Sequence, residues 1–178
     1  MKITPKLNLQ QLAFIVSEQL HKRGIQATLV GGAVVTIYSD NEYQSRDLDF
    51  ISPHEHKDIT NAMSEIGFER HGKNFVHKDT NYTVEFPSGP IGIGNESPVK
   101  GEAELKTKLG TLQILSPTQC VMDRLAWFYH YSDRQCLDQA LAVAKKHKIK
   151  FDKIKKWSEK EGAIDRYELF IKRLKELS

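Results

Sequence analysis

Apolar and polar residues recur with two different periods along the chain, and these periods divide it into predicted helices and strands. Residues 8–23 carry apolar side chains at the spacing i, i+3, i+4, i+7 and i+11, which predicts an amphipathic helix. A second stripe of this kind covers residues 53–68, where Ser52 and Glu55 have the spacing of a capping box. The pattern therefore predicts two amphipathic helices in the first part of the chain.

Short apolar runs with a period of two predict the strands. Residues 25–30 form such a run and end at a Gly-Gly pair, and residues 46–52 alternate between polar and apolar side chains. The remaining predicted strands come in pairs that turn at polar residues or at glycine: 74–77 with 82–86, and 103–109 with 111–115 as edge strands.

Beyond Ser116 the pattern becomes wholly helical, whereas the first part of the chain mixes strands with helices. This arrangement predicts an α+β fold, with a core over residues 1–115 and a helical C-terminal region over residues 116–178 packed on it. The expected helices of this last region cover residues 120–131, 133–147 and, in one or two pieces, 151–177.

The composition indicates the class of protein, and the distribution of charge reveals a lysine-rich stretch. Hydrophobic residues make up 39% of the chain and charged residues 28%, which is the balance of a globular protein. No apolar run approaches the ~20 residues of a membrane span, so we expect a cytoplasmic protein without a membrane partner. The net charge is only +3, but residues 141–160 hold eight lysines against two acidic residues. Such a stretch is either a surface that follows phosphates or an ordinary solvated helix face.

Two aspartates lie one residue apart in the predicted strand at 46–52. Because side chains alternate between the two faces of a strand, the carboxylates of Asp47 and Asp49 leave the same face, with Cα atoms roughly 7 Å apart. Two carboxylates at this spacing can bind hard divalent cations such as Mg²⁺. Glu85 falls on the polar face of a later predicted strand and is a candidate third carboxylate.

Gly31 and Gly32 form the turn between a predicted strand and a short predicted helix at 33–38. The pair does not continue into a dinucleotide-binding GxGxxG fingerprint, nor into the Gly-Lys-Ser/Thr ending of a P-loop. A glycine turn that runs into a helix can present backbone N–H groups to a phosphate, and it also occurs at any tight turn between a strand and a helix. By itself the pair leaves both interpretations open.

In combination, these features resemble the nucleotidyltransferase superfamily, whose fold is that of the DNA polymerase β palm. The resemblance covers residues 26–144 and rests on GGAVV, YQSRDLDF, EFPSGP and SPTQCVMDRLAWFYHYSDRQCLDQAL, which look most like the small nucleotidyltransferases of abortive-infection and toxin–antitoxin type. It implies a mixed β-sheet with flanking helices and a helical C-terminal part. The chain departs from the superfamily in having Glu85 where Asp is more frequent, and GGA where many members have a Gly-Ser pair.

The resemblance also implies a site for a nucleoside triphosphate with Mg²⁺ or Mn²⁺. Asp47, Asp49 and Glu85 would be both the catalytic residues and the metal ligands. The implied nucleotide-binding residues are Gly31, Gly32, Ser45, Arg46 and Lys106, and those of a C-terminal motif are Asp123, Arg124 and Asp138.

The candidate cation Arg46 and the charged residues of the C-terminal motif also have purely structural interpretations. Arg46 is equally suited to a solvent-facing ion pair. The charged residues after Ser116 are better suited to helix caps and i,i+4 pairs than to closing over a nucleotide. The sequence does not decide between these roles.

Three functions follow from the sequence. The first is Mg²⁺-dependent transfer of a nucleoside monophosphate from a triphosphate to a macromolecular acceptor, RNA or protein, by a toxin-like module with a cognate antitoxin. The second is a non-catalytic nucleotide-binding or RNA-binding module, or an inactive homologue bound to an antitoxin. The third is transfer to a small molecule such as an antibiotic, which predicts an acidic pocket for a cationic substrate.

Overall fold

Seven strands form one mixed β-sheet in the computed structural model, which describes residues 2–177. Within these residues the sheet is accompanied by seven helices, so the predicted α+β class is confirmed. In chain order the elements are α1 (Leu9–Lys22), β1 (Thr28–Val30), α2 (Gly32–Tyr38), β2 (Asp47–Ile51), α3 (His56–Ser64), β3 (Glu69–His71), β4 (Asn74–Val76), β5 (Thr83–Glu85), β6 (Ala103–Thr107), β7 (Gly110–Ile114), α4 (Pro117–Tyr131), α5 (Arg134–Lys146), α6 (Phe151–Lys160) and α7 (Ile164–Glu176).

The strand order places the two aspartates of β2 at the middle of the sheet. The order is β3-β4-β5-β2-β1-β7-β6, with β2 antiparallel to β1 and parallel to β5. In this register Asp49 lies between Val30 of β1 and Glu85 of β5. The sheet therefore aligns residues that are far apart in the sequence into one row.

One face of the central strands belongs to the core. Leu48 and Phe50 of β2 and Val84 of β5 are fully buried, and they join a single apolar cluster with Leu12 of α1 and Ile59 of α3. Side chains alternate along each strand, so the aspartates of β2 lie on the opposite face. The predicted strand alternation at 46–52 is thus confirmed.

The start of α3 differs from the prediction. Its N-cap is Glu55, and the expected capping box at Ser52 is wrong because the Ser52 hydroxyl instead donates a 2.6 Å hydrogen bond to the carbonyl of Gln26. The strand β3 was not predicted either. All three of its residues are exposed, so it has no apolar alternation to detect.

The C-terminal helices follow the predicted positions, and the last piece divides into α6 and α7 at a turn that contains Gly162. Among the helices of residues 2–177, none combines the length and the apolarity that a membrane crossing requires. The division into residues 1–115 and 116–178 remains a prediction, and its outermost residues, Met1 and Ser178, lie outside the described residues.

Candidate active site

Three carboxylates lie in a row on the face of β2 and β5 that is opposite Leu48 and Phe50. Asp49 is directly paired with Glu85, and Asp47 is paired with Thr83 one step along the same face. Neighbouring strands are about 4.8 Å apart, so Asp49 and Glu85 are side by side. The structure therefore brings the three predicted catalytic residues together, and we refer to Asp47, Asp49 and Glu85 as the acid row.

The glycine turn packs directly against the acid row. Gly31 has φ +72°, and a Cβ atom at this position would lie 2.9 Å from Oδ2 of Asp49. A Cβ atom on Gly32 would lie 3.2 Å from the hydroxyl of Ser45. Both the backbone conformation and the close approach require glycine at position 31, which explains the Gly-Gly pair locally.

Ser45 connects the start of β2 to α2 by hydrogen bonds. Its backbone N–H donates to Oγ1 of Thr36 at 2.9 Å, and its hydroxyl donates to the carbonyl of Asp47 at 3.0 Å. Ser45 therefore lies beside both the glycine turn and the acid row.

The electrostatics of the acid row are unfavourable. Burial, followed by the negative charges of Glu85 and Asp47, raises the pKa of Asp49 from 3.8 to about 6, although Arg124 and Lys73 act in the opposite direction. A raised pKa that comes from burial and like charges is typical of functional sites, because structural packing alone gives no reason to gather carboxylates.

Arg124 of α4 supplies positive charge to this side of the sheet. Its guanidinium contacts Oδ2 of Asp123 at 2.5 Å and the side chain of Gln139 at 3.4 Å, and the Arg124 side chain is only 12% exposed. Asp123 thus holds Arg124 in place. The third residue of the expected motif, Asp138, lies on the exposed surface of α5.

Three neighbours of the acid row were missed in the sequence. The hydroxyl of Thr83 donates a hydrogen bond to Oδ1 of Asp47, and the ammonium of Lys73 lies 3.2 Å from Oε2 of Glu85. Asn74 is paired with Glu85, and its Oδ1 is buried without a hydrogen-bond partner among the described residues. The available signal was the predicted hairpin of 74–77 with 82–86, whose register was not worked out.

Two of the predicted nucleotide-binding cations do not meet the carboxylates. Lys106 lies on the edge strand β6, separated from β2 by β7 and β1, and pairs with Glu104 at 2.8 Å. Arg46 precedes β2 with an exposed side chain, and its carbonyl accepts a hydrogen bond from the N–H of Thr83.

The acid row matches the chemistry of a hard divalent cation. Carboxylate oxygens suit Mg²⁺ and Mn²⁺, and the unpartnered Oδ1 of Asn74 adds a further oxygen to the row. Across residues 2–177, however, no group of three His, Cys, Asp or Glu side chains is placed to hold one metal ion. Thr83 and Lys73 contact carboxylate oxygens there instead. The three-carboxylate metal site remains a prediction.

Comparison with known proteins assigns no family. No protein-family model matches the chain, and no curated protein matches it. Among solved structures, the antibiotic-resistance factor ANT(2'')-Ia in solution matches with 12% sequence identity and a TM-score of 0.49, over 90% of this chain and 96% of that chain. A likeness at this level identifies neither the family nor the function.

Proposed function

We propose that the protein is a nucleotidyltransferase that moves a nucleoside monophosphate from a triphosphate to a macromolecular acceptor, RNA or protein. The observation that carries the proposal is the acid row beside the Gly31 turn: two aspartates and a glutamate on adjacent strands, gathered against their own repulsion. A row of carboxylates next to a glycine turn supplies both metal ligands and room for a phosphate.

Asp47, Asp49 and Glu85 would hold Mg²⁺ or Mn²⁺, which when bound offsets the negative charge on the attacking and leaving oxygens. The acceptor hydroxyl oxygen forms a bond to the α-phosphorus, the bond from that phosphorus to the bridging oxygen breaks, and pyrophosphate leaves. Glu85 accepts the proton of the hydroxyl.

The remaining residues would bind the triphosphate. The backbone N–H groups of Gly31 and Gly32 donate hydrogen bonds to phosphate oxygens, and Arg124 adds positive charge from α4. Ser45 would join them by turning its hydroxyl from the carbonyl of Asp47 to a phosphate oxygen. Lys106 has no part in this proposal because β6 is remote from the acid row.

The test uses each of the four α-³²P-labelled nucleoside triphosphates with Mg²⁺ and either total RNA or a protein extract. Label should enter one of the two acceptor fractions, and the double variant Asp47→Asn/Asp49→Asn should lower incorporation by about 10²-fold or more. The control variant Asp152→Asn/Asp165→Asn removes two exposed carboxylates from α6 and α7 and should incorporate label as the wild type does. Incorporation that is absent, or equal in both double variants, contradicts the proposal.

A second candidate is a nucleotide-binding module without catalysis. The contacts of Thr83 with Asp47 and of Lys73 with Glu85 favour it, because they occupy oxygens that a metal would need. Calorimetric titration with ATP, in Mg²⁺ and in EDTA, separates the two. Binding that is indifferent to Mg²⁺ and to Asp47→Asn/Asp49→Asn, without any transfer, identifies the module.

As part of the same proposal, we infer that the activity is toxin-like and restrained by a cognate antitoxin; only the sequence resemblance supports this. Induced expression in a bacterial host should arrest growth, and Asp47→Asn/Asp49→Asn should abolish the arrest. Growth that is equal for the wild type and the variant contradicts the toxin role, while the transfer assay still tests the chemistry.

A further inference from the structure

Two neighbouring cavities share four lining residues, three of which directly follow Glu85 in the chain. The first has a volume of about 510 Å³ and is lined by Glu85, Arg70 and Lys73. The second has a volume of about 650 Å³ and extends over Thr28 and Ile51 toward the long loop at 86–102. We call the combined cavity the Glu85 groove; its two halves share His56, Phe86, Pro87 and Ser88.

Part of the floor of the Glu85 groove lies on the face that carries the acid row. Thr28 pairs with Ile51 in the same register in which Val30 pairs with Asp49. Positions two residues apart on a strand share a face, so Thr28 and Ile51 lie on the same face as Asp49. Arg70 and Phe75 instead pair in register with Val84, so they lie on the face of Leu48 and Phe50. The groove is therefore lined from both faces of the sheet, and a molecule in it would reach Glu85.

The charges of the Glu85 groove are mainly positive. Its basic side chains are Arg70, Lys73 and Lys100, with His54 and His56 as further nitrogen donors. Among the described residues that line it, Glu85 is the single carboxylate, and Lys73 already pairs with it. A cationic small molecule would need the opposite arrangement, whereas phosphodiesters are attracted to this lining.

A cavity between α6 and α7 also contains lysines, but its lining is not mainly positive. It has a volume of about 580 Å³, and Lys155, Lys172 and Lys175 line it together with Glu168 and Glu176. Its charges are mixed, and it lies on helices that carry no part of the acid row. It therefore serves as an internal control for non-specific attraction of nucleic acid.

We infer that the Glu85 groove binds the phosphodiester backbone of a single-stranded polynucleotide and brings its terminal ribose hydroxyl to Glu85. The inference rests on the proposed function, because it names the acceptor of the proposed transfer. Arg70 and Lys73 contact the phosphates nearest the terminus. A protein acceptor and a cationic small molecule are the alternatives that the experiment must separate.

The experiment measures binding in EDTA and without any triphosphate, so that it is independent of metal and of catalysis. The probes are a fluorescein-labelled 12-nucleotide RNA and a DNA of the same sequence, followed by fluorescence anisotropy between 50 and 300 mM salt. The double variant Arg70→Gln/Lys73→Gln removes two charges from the groove, and Lys172→Gln/Lys175→Gln removes two from the α6–α7 cavity. All four residues are exposed, but Arg70 also lies over the ring of buried Phe75, 5.9 Å from its centroid, so urea unfolding of both double variants accompanies the binding measurement.

The groove variant should raise the Kd for RNA by about 10-fold at 50 mM salt and reduce the slope of log Kd against log salt by about 1.4, since each single-strand phosphate contact contributes about 0.7. The control variant should change the Kd by less than about twofold. Equal binding of the DNA probe assigns recognition to the phosphodiester, and tighter binding of RNA adds the ribose hydroxyl, so both results support the inference.

Three results would overturn it: no binding of either probe, equal losses in the two double variants, or calorimetric binding of a polycationic aminoglycoside that is stronger than that of RNA. Failure of the proposed function looks different. In that case Asp47→Asn/Asp49→Asn and the wild type are equally inactive in transfer, while the two lysine-containing double variants still differ in RNA binding. Transfer to protein with no difference in RNA binding assigns the acceptor to protein.

Discussion

Two carboxylates of low exposure, Asp49 in the acid row and Glu161 at the end of α6, have opposite surroundings. The Glu161 side chain is 1% exposed, accepts hydrogen bonds from the backbone and side chain of Asn95 at 2.9 and 3.0 Å, and lies 2.7 Å from Nε2 of His130. Asp49 instead faces Glu85 and Asp47. Glu161 is thus surrounded by hydrogen-bond donors, whereas two further carboxylates lie beside Asp49.

The difference separates an architectural carboxylate from a functional one. Glu161 joins the 86–102 loop to α4 and α6, so its burial serves the fold. The Asp49 side chain links no further element, because backbone pairing in the sheet already holds β2 to β1 and β5. A carboxylate that is held at a cost to stability and without a structural role is expected to act on a ligand.

One of the two largest effects on stability is expected at Glu161. Glu161→Ala leaves the Asn95 and His130 donors without an acceptor and should lower the free energy of unfolding by roughly 3 kcal/mol. Urea unfolding measures it. Glu161→Gln retains one acceptor oxygen and should recover part of the loss, and exposed Glu159→Ala should stay within about 0.5 kcal/mol. A loss at Glu161 as small as that at Glu159 would remove the contrast with Asp49.

Each of the two carboxylates lies near a glycine turn, and substitutions at these glycines should have effects of different size on stability. Gly31 and Gly162 have similar φ values, +72° and +69°, but a Cβ on Gly31 would meet Asp49, whereas one on Gly162 would meet nothing within 4 Å. Gly162→Ala should therefore cost only the backbone strain, about 1 kcal/mol.

Gly31→Ala adds the contact with Oδ2 of Asp49, and its φ of +72° with ψ of −149° is a backbone conformation nearly restricted to glycine, so it should cost about 3 kcal/mol or more. It should also weaken magnesium-dependent ATP binding, which calorimetry measures, while Gly162→Ala should leave that binding unchanged. Equal losses of stability and equal ATP binding in the two variants would show that the Gly31 turn has no relation to the acid row.

The strands that carry the acid row could be predicted because each is amphipathic along its own length. The alternation around Asp47 and Asp49 indicated their common face, and the same reasoning placed Glu85 on a polar face. Lys73 and Asn74 could not be found in this way, because their relation to Glu85 depends on the β4–β5 register. Lys106 was misleading for a related reason: its distance from β2 is set by the strand order, which no local pattern encodes.

Glu161 also escaped detection, since its partners Asn95 and His130 are 66 and 31 residues away in the sequence. Helical periodicity placed the residue near a helix end but gave no indication that its side chain is buried. What the sequence leaves undetermined in this protein is therefore the set of long-range polar contacts, which decide whether a buried charge stabilises the fold.

The smallest and most specific effect is a gain in stability when Asp49 loses its charge. Because the folded-state pKa of Asp49, about 6, exceeds its ordinary value of 3.8, the folded protein binds this proton more tightly than the unfolded chain does. The resulting stabilisation is fully present below pH 3.8 and is lost as the pH rises through 6. Wild-type protein in EDTA should accordingly lose roughly 1 to 2 kcal/mol from this group between pH 4 and pH 7, after allowance for its partial exposure.

Asp49→Asn removes this dependence, so at pH 7.5 in EDTA the variant should be more stable than the wild type by a similar roughly 1 to 2 kcal/mol, and at pH 4 the two should be nearly equal. Urea unfolding at the two pH values measures both differences. Asp152→Asn, at an exposed carboxylate in the first turn of α6, should instead be neutral or slightly destabilising, because a negative charge favours a helix N-terminus. If Asp49→Asn destabilised the protein at pH 7.5, Asp49 would be a stabilising carboxylate of the same kind as Glu161, and the acid row would have no electrostatic mark of a functional site.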